Sequence, residues 1–278
     1  MIKLIISDLD GTLLNDQKKL SQRTLNAIDK AKQQGIKICM ASGRFDAMMS
    51  IYSEAIQGCD YLLSCNGSMV KNEQTKEVLF SACILDQDVK EILRYFKEKQ
   101  CMFMMYSYDT IYYSAHPSML KRITDYEELA SKTGYPCKLK AQQVDLNKEN
   151  HFEHIIKMVA YEEGDEAIHQ LRAFVDGLSA CYTDSTGYGI YGIFNQLVSK
   201  KNGIDAIKKE LNLADNEVVI FGDWDNDLSM FESGGNCVAM ANASDALKAK
   251  ATRFTLTNNE DGVAIVIEEI LKNNLEFR

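Results

Sequence analysis

The sequence predicts a doubly wound α/β core with a mainly parallel sheet, interrupted by an inserted α+β domain. Two observations support this fold class: both ends of the chain alternate short apolar runs with helical periodicity, and the middle of the chain does not. The 278 residues, of which 46% are apolar, are enough for one large buried core or two unequal ones.

The first segment alternates predicted strands with a helix. Apolar runs at residues 4–6, 36–40 and 61–63 predict strands. Between the first two runs, Ser21 is placed as a helix N-cap and Gly35 lies just past the last helical turn. This order is typical of βαβ units, in which a helix connects parallel strands.

The last third of the chain returns to the same alternation. Ile204 and Ile207 have the spacing of a buried helix face, and apolar runs at residues 218–221 and 237–240 predict further strands. A closing helix follows these strands. We therefore expect the two ends of the chain to build one domain.

The middle of the chain has a different pattern, with aromatic-rich runs at residues 101–108 and 111–115 that predict a hairpin around Asp109. We predict an inserted α+β cap domain at residues 82–190, between core segments 1–81 and 191–278. A single continuous sheet is the alternative, because chain order does not prove an insertion.

Composition restricts the partners of the protein. The formal net charge of −9, without a basic run, argues against nucleic acid. The eight cysteines include no CxxC pair, so we expect free thiols in the reducing cytoplasm. No stretch is apolar for long enough to span a bilayer, so we expect no membrane partner. The oligomeric state stays open.

Two acidic residues follow the first predicted strand. Asp8 and Asp10 are two positions apart, so an extended backbone directs both to one side. Two neighbouring carboxylates repel each other unless a cation lies beside them, and a divalent metal is a natural solution. An acidic turn that caps the next helix is the alternative for this string alone.

Other polar strings also follow predicted strands, where open α/β sheets bind ligands. Ser42 and Gly43 can present a hydroxyl and backbone N–H groups to a phosphoryl oxygen, although an ordinary helix cap followed by a solvated arginine is simpler. Asn66 is first a turn residue. Asp223 is the first acid after the strand at 218–221, hence the best-placed metal ligand there, and a simple acidic helix N-cap is the alternative.

A lysine pair precedes the helix that contains Ile204. If Lys200 or Lys201 faces Asp8, its charge would neutralise the carboxylate and a transferring phosphoryl group. The core segments contain no histidine, which excludes a Ser-His or Cys-His hydrolase. Oxygen ligands suit Mg²⁺ better than zinc.

Taken in order, these strings resemble the motifs of the haloacid dehalogenase (HAD) superfamily, and of its Cof-type sugar-phosphatase branch with a large type IIB cap. The motifs are DLDGT at 8–12, ASGR at 41–44, NGS at 66–68, VSK at 198–200, GDWDND at 222–227 and MANA at 240–243. The resemblance implies a Rossmann-like core and a Mg²⁺-dependent phosphatase that acts on a small phosphorylated metabolite.

The resemblance also implies roles for individual residues. Asp8 would be the nucleophile that forms an aspartyl-phosphate, and Asp10 the general acid and base, for which we expect a raised pKa. The remaining roles would fall to the phosphate-binding set Ser42, Gly43, Lys200, Asn66 and Asn242, the metal ligands Asp8, Asp10 and Asp223, and the outer metal shell Asn226 and Asp227.

The motifs leave two alternatives and one question open. A phosphotransferase or sugar-phosphate mutase would use the same intermediate, whereas a phosphometabolite-binding regulator would have lost part of the machinery. Lys201 and Trp224 depart from the usual pattern of the family, which leaves a choice between Lys200 and Lys201 in which the register of the motif favours Lys200. The leaving group is not defined: hexose phosphates, pyridoxal phosphate and flavin mononucleotide all fit.

Overall fold

The computed structural model describes residues 1–161, 164–185, 190–273 and 276–277. The chain divides into two compact units, one made of Met1–Phe80 with Ser199–Arg278 and the other of Ser81–Val198. The second unit is therefore an insertion in the sequence of the first.

The described strands form two sheets. In chain order they are β1 (Leu4–Asp8), β2 (Lys37–Ala41), β3 (Tyr61–Ser64), β4 (Met69–Asn72), β5 (Val78–Ser81), β6 (Met102–Tyr106), β7 (Ile111–Ser114), β8 (Ala141–Val144), β9 (Lys157–Tyr161), β10 (Cys181–Ser185), β11 (Ile190–Asn195), β12 (Val218–Gly222), β13 (Asn236–Ala239) and β14 (Arg253–Phe254). The described α-helices are α1 (Gln22–Gln33), α2 (Ser50–Ala55), α3 (Asp86–Lys99), α4 (Pro117–Lys132), α5 (Asp165–Asp176), α6 (Lys200–Glu210), α7 (Leu228–Phe231), α8 (Asp245–Lys248) and α9 (Gly262–Lys272).

The sheet of the first unit has the order β14-β13-β12-β1-β2-β3-β4-β5. Neighbouring strands from β14 to β3 are parallel, and β4 runs antiparallel to β3. Strand order reverses between β1 and β12, because β2 and β3 follow on one side and β13 and β14 on the other. Such a switch point leaves a crevice at the carboxyl ends of the strands.

Helix α1 shows why the sequence folds this way locally. The Ser21 side chain accepts a hydrogen bond from the Thr24 N–H at its start, and Gly35 has a φ of 80° just past its end. Ala27, Ile28 and Ala31 form its buried face. The predicted N-cap, buried face and terminating glycine of this helix are all confirmed.

The second unit contains a six-stranded sheet of order β10-β11-β9-β6-β7-β8. The predicted hairpin is confirmed, since β6 and β7 pair antiparallel. Side chains of α3 and α5, including Ile92, Phe96 and Leu171, pack with Phe103 in a core of their own, where the rings of Phe96 and Phe103 stack at 5.2 Å.

The observed division of the chain differs from the predicted boundaries at one end. Strand β11 pairs with β9 and β10, so it belongs to the second unit, and the division falls after Val198 instead of residue 190. The sequence did not indicate this pairing, because chain order alone does not show which strands are neighbours. The predicted fold class, a parallel α/β core with an inserted α+β cap, is confirmed.

All eight cysteines are free thiols. None of the helices in the described part of the chain is long and apolar enough to cross a lipid bilayer.

Candidate active site

The carboxyl end of β1 presents the first two acids of the site. Asp8 is the last residue of the strand and only 5% exposed, while Leu9 is fully buried in the core. Gly11 then turns the chain with a φ of 85°, and a Cβ at this position would lie 2.3 Å from Asp223 Oδ2. A glycine is therefore required where the loop after β1 meets the loop after β12.

Lys200 is the buried cation beside Asp8. Its Nζ lies 2.6 Å from Asp8 Oδ1 and 2.6 Å from Asp227 Oδ1, and the residue is 1% exposed. Lys201 pairs with Asp205 one helical turn later along α6. The side chain that faces Asp8 is therefore that of Lys200.

The start of α6 determines where Lys200 lies. Ser199 is the N-cap and accepts a hydrogen bond from the Asn202 N–H. Gly67, in the turn after β3, has a φ of 95°, and a Cβ there would approach Ser199 O to 2.2 Å. Gly203 similarly packs on Leu63, where a Cβ would come within 2.7 Å. These two glycines let the first turn of α6 pack directly on the end of β3.

The loop after β12 holds the two remaining buried acids. Thr12 Oγ1 donates a hydrogen bond to Asp223 Oδ1 at 2.7 Å. Asp227 Oδ2 accepts from the backbone N–H groups of Asp223 and Trp224, at 2.9 and 3.2 Å. The fully buried Asp227 thus fixes the backbone of the loop with one oxygen and Lys200 with the other.

The site contains more buried negative charge than Lys200 neutralises. Burial and the nearby Asp227 raise the pKa of the Asp8 carboxyl well above its usual value, although Lys200 opposes this. Burial also raises the pKa of Asp223 to about 6, against the hydrogen bond from Thr12. Burial lowers the pKa of Lys200, but Asp227 and Asp8 outweigh it and the pKa is raised overall.

A metal ion fits this excess of negative charge. Asp8, Asp223 and Asp227 each offer one carboxylate oxygen, and these oxygens lie within 4.8 Å of one another. Carboxylate oxygens are the ligands that Mg²⁺ prefers. Both oxygens of Asp227 already accept hydrogen bonds, one from Lys200 and the other from the backbone of its own loop.

Asp10 is held differently from the expectation. Arg44 donates from Nε to Asp10 Oδ2 at 2.8 Å and from Nη2 to Oδ1 at 2.7 Å, and Lys18 Nζ lies 2.8 Å from Oδ1. Burial would raise the pKa of Asp10, but the hydrogen bonds and charges of Arg44 and Lys18 lower it overall. The raised pKa expected for Asp10 is therefore not found. The expectation was wrong because it did not include Arg44 and Lys18 beside this carboxylate.

The predicted phosphate-binding residues after β2 and β3 lie side by side. Ser42 is buried and its Oγ accepts from the Arg44 N–H, while its carbonyl accepts from the Asn66 N–H. Asn66 has a φ of 59°, and its Oδ1 is buried without a hydrogen-bond partner among the described residues. A Cβ on Gly43 would lie 3.0 Å from that Oδ1. Because buried oxygens rarely lack a partner, Asn66 Oδ1 indicates a position next to Gly43 where a hydrogen-bond donor would bind.

Two other predicted residues, Asn242 and Asn226, have no hydrogen bond to the buried carboxylates among the described residues. Asn242 is exposed, donates to Gly11 O at 2.8 Å and accepts from the Asn258 N–H at 3.2 Å, so it braces the loop after β1. Asn226 is exposed, and no hydrogen bond joins it to the acids within the described residues.

Sequence reasoning did not give roles to three residues that shape the site. Arg44 was expected to be solvated but forms the fork on Asp10, Lys18 adds a second ion pair, and Thr12 orients Asp223. Thr12 and Arg44 belong to the motifs at 8–12 and 41–44, so the sequence already indicated that they lie near the site. Lys18 lies outside every motif.

The buried acids and Lys200 thus lie together at the switch point of a parallel α/β sheet, the usual place of a ligand site in such folds. The sequence profile of the haloacid dehalogenase-like hydrolases matches residues 5–267. The chain belongs to this family. The predicted enzyme class, a phosphatase of the HAD superfamily, is confirmed.

Individual relatives agree with this assignment. The chain is 28% identical over 272 residues to the Bacillus subtilis 5-amino-6-(5-phospho-D-ribitylamino)uracil phosphatase YitU. The alignment covers 96% of each chain. The fold is similar to a haloacid dehalogenase-like hydrolase from Bacteroides thetaiotaomicron, with a TM-score of 0.82, 24% identity and coverage of 97% and 100% of the two chains. It is also similar to a sugar phosphatase of HAD subclass IIB, with a TM-score of 0.72, 21% identity and coverage of 98% and 99%.

Proposed function

We propose that this protein is a Mg²⁺-dependent phosphatase that hydrolyses a small phosphorylated metabolite through an aspartyl-phosphate on Asp8. One observation carries the proposal: Lys200 Nζ joins Asp8 to Asp227 at 2.6 Å each, at the switch point of the sheet and beside Asp223. This arrangement provides a nucleophilic oxygen, a fixed positive charge and a set of hard oxygen ligands.

Asp8 is the group that attacks phosphorus. Lys200 holds one of its oxygens and leaves the other to approach the phosphoryl group in line with the leaving oxygen. The attack forms the new O–P bond and breaks the bond to the leaving oxygen, which splits one slow displacement into two easier steps.

Asp10 transfers the protons of the two steps. In the first step it gives a proton to the leaving oxygen, and in the second it takes one from the water that attacks the aspartyl-phosphate. This role requires Asp10 to gain a proton, which its ion pairs with Arg44 and Lys18 oppose in the present arrangement.

Positive charge around the phosphoryl oxygens supplies most of the catalysis. Lys200, together with the Ser42 hydroxyl and the Gly43 backbone, would bind these oxygens, and Asn66 lies next to Gly43. Asp8, the backbone carbonyl of Asp10 and Asp223 would hold Mg²⁺, and Asp227 would support them. When bound, Mg²⁺ supplies charge that stabilises the transferring phosphoryl group.

The substrate is expected to be a small phosphomonoester. The name of the Bacillus subtilis relative specifies a phosphorylated ribitylamino-uracil, and that of the subclass IIB structure a sugar phosphate. Residues 81–198 would act as the cap that selects among such leaving groups. The net charge of −9 and the eight free thiols favour a cytoplasmic enzyme without a nucleic acid partner.

A panel of phosphometabolites tests the proposal. Purified protein is incubated with hexose phosphates, pyridoxal phosphate, flavin mononucleotide and para-nitrophenyl phosphate, with Mg²⁺ or with EDTA, and released phosphate is measured. We expect release only with Mg²⁺. Transfer to an added sugar that is much faster than release would instead identify a phosphotransferase.

Asp8→Asn tests the nucleophile. The amide preserves the shape of the side chain but cannot form an acyl phosphate, so turnover should fall by at least about 10³-fold, while the melting temperature shows that the variant still folds. Asp225→Asn is the matched control, because Asp225 lies in the same region but is exposed and bonds to Ser244. Normal phosphate release by Asp8→Asn would exclude the aspartyl-phosphate.

A further inference from the structure

Asn258 makes contacts that converge on the loop after β1, residues 9–16. It lies just before α9 and is only 8% exposed. Its Nδ2 donates to Leu14 O at 3.0 Å and to Asp16 Oδ1 at 3.1 Å. A side-chain amide has two N–H donors, and both of those of Asn258 act on this loop. Asn258 therefore ties the loop to a part of the chain that is distant in sequence.

A second asparagine extends this contact to the start of the loop. The Asn258 N–H donates to Asn242 Oδ1 at 3.2 Å, and Asn242 Nδ2 donates in turn to Gly11 O at 2.8 Å. The carbonyl groups of Gly11 and Leu14 are thus both held, and Thr12 lies between them. The two asparagines restrain the loop on either side of Thr12.

The turn that carries Asn258 is fixed by bonds of its own. Thr257 is its N-cap, and the N–H and hydroxyl of Thr257 both donate to Glu260 Oε2, at 3.2 and 2.7 Å. The Gly262 N–H donates to Thr257 O at 3.1 Å, and a Cβ on Gly262 would lie 2.3 Å from Leu256 O. The Asn258 side chain is thus presented by a closely packed backbone, as a positioning group requires.

Thr12 is the residue of the restrained segment that contacts a candidate metal ligand. It is 2% exposed, and its Oγ1 donates to Asp223 Oδ1 at 2.7 Å. A hydrogen bond of this kind orients a ligating carboxylate, and its loss typically lowers metal affinity by about 10- to 100-fold. The position of Thr12 therefore matters for a cation at Asp223.

We infer that Asn258 is a positioning residue for the metal site and acts through Thr12. By holding Leu14 O directly and Gly11 O through Asn242, it keeps the Thr12 hydroxyl on Asp223 and so sets the affinity for a divalent cation. The inference rests on the proposed function, because that function includes the cation.

The experiment measures the binding of Mn²⁺, which takes the same oxygen ligands as Mg²⁺, from the electron paramagnetic resonance signal of the free ion at pH 8. We expect the Kd of Asn258→Ala to lie roughly tenfold above that of wild type. Asp223→Asn removes a candidate ligand and identifies the part of the bound Mn²⁺ that belongs to this site. An unchanged Kd for Asn258→Ala would overturn the inference.

Asn236→Ala is the matched control for a loss of stability. Asn236 Nδ2 also donates to two carbonyl groups, Val218 O at 2.9 Å and Asn216 O at 3.4 Å, but at the start of β13. Both alanine variants leave carbonyl groups without their donor, so the melting temperature should fall in both. The Kd for Mn²⁺ should rise only in Asn258→Ala. An equal rise in both variants would reduce Asn258 to a structural residue.

A double-mutant cycle shows whether Asn258 acts through Thr12. Thr12→Val removes the hydroxyl from Asp223 and should raise the Kd by at least about tenfold. Adding Asn258→Ala to that variant should change the Kd by less than about threefold, because the bond that Asn258 supports is already lost. Additive rises would mean that Asn258 affects the cation by another route, contrary to the inference.

A second variant covers the case in which Asn258→Ala does not fold. Asn242→Ala removes an exposed side chain and only the contact with Gly11, so it should raise the Kd in the same direction by a smaller factor. No rise in that variant would count against the role of Asn258. A wild type that binds no Mn²⁺ at this site would contradict the proposed function itself, whereas equal binding by wild type and Asn258→Ala would contradict only the positioning role.

Discussion

Single carboxylates determine the charge balance at the end of the sheet. Asp8, Asp223 and Asp227 are buried around one lysine, and the raised pKa of Asp223, about 6, is the consequence for that residue. In the metal-free protein this acid therefore costs stability above pH 6, where it is ionised, and the cost disappears below about pH 4, where it is protonated in both states. A bound cation would offset the same cost.

Asp223→Asn is predicted to stabilise the metal-free protein and to abolish its response to Mg²⁺. At pH 8 the change removes a buried charge while Asn Oδ1 can still accept from Thr12, so we expect a gain of about 1–3 kcal/mol in unfolding free energy. Urea unfolding in EDTA and in Mg²⁺ measures both effects. The fluorescence of Trp224, the single tryptophan and the neighbour of Asp223, should change when Mg²⁺ binds.

Asp225→Asn is again the control for that prediction. Its side chain is exposed and accepts from Ser244, so neither metal-free stability nor the Mg²⁺ response should change. Metal-free Asp223→Asn that is less stable than wild type at pH 8 would show that the carboxylate is stabilising without a cation, contrary to the charge argument.

Residues at strand ends could be located from the sequence, whereas their pairings could not. Asp8, Asp10 and Asp223 follow apolar runs, and parallel strands bring such positions to one edge. The fork of Arg44 on Asp10 joins residues 34 positions apart through rotamers that no periodicity encodes. For the same reason the sequence did not indicate that Asn242 braces the loop after β1.

At the scale of elements, close packing of α6 on the end of β3 delivers Lys200 to Asp8. Gly67 and Gly203 allow this approach, because a Cβ on either would lie 2.2 or 2.7 Å from its neighbour. The first of these contacts is with the backbone carbonyl of Ser199, the N-cap of the helix. Backbone cannot rotate out of the way as a side chain can.

Gly67→Ala is therefore predicted to displace the start of α6. The substitution adds a clash with Ser199 O and forces alanine into a left-handed conformation, so we expect a loss of about 2–4 kcal/mol in unfolding free energy. Because Lys200 is the next residue, kcat should fall by roughly 10²-fold even where the variant is folded. Urea unfolding and phosphatase assays measure the two losses.

Gly35→Ala separates the clash from the backbone strain. Gly35 also has a positive φ, of 80°, but no atom lies within 4 Å of a Cβ built there. We expect a loss of about 1–2 kcal/mol from strain alone and unchanged kcat. Equal effects of the two alanine variants would mean that the packing of α6 against Gly67 does not position Lys200.

The elements themselves were predictable where periodicity and caps agree, as in α1 and in the β6–β7 hairpin. Strand β14 is only two residues long, Arg253–Phe254, too short for an alternation to register. Strand β11 was not predicted from the sequence, and its pairing with β9 and β10 moves the boundary of the insertion.

At the scale of the whole molecule, each unit contains its own core. Phe96, Phe103 and Leu171 pack within residues 81–198, whereas the candidate catalytic groups and metal ligands lie in residues 1–80 and 199–278. A ligand that binds the folded form of one unit stabilises that unit by mass action. Binding of Mg²⁺ should therefore act directly on the stability of the first unit only.

We predict two thermal transitions in the full chain, of which Mg²⁺ shifts one. In scanning calorimetry the transition of the first unit should move upward by several degrees at about 100 times the Kd, a gain of roughly 2.7 kcal/mol, while that of the second unit stays in place. Hydrogen exchange assigns the transitions, with protection in β1 and β12 changing and protection in β6 and β9 constant. Asp223→Asn should remove the shift. A single transition that Mg²⁺ shifts as a whole would instead show that the two cores unfold cooperatively. Binding of Mg²⁺ at the carboxyl ends of β1 and β12 would then stabilise residues 81–198 as well.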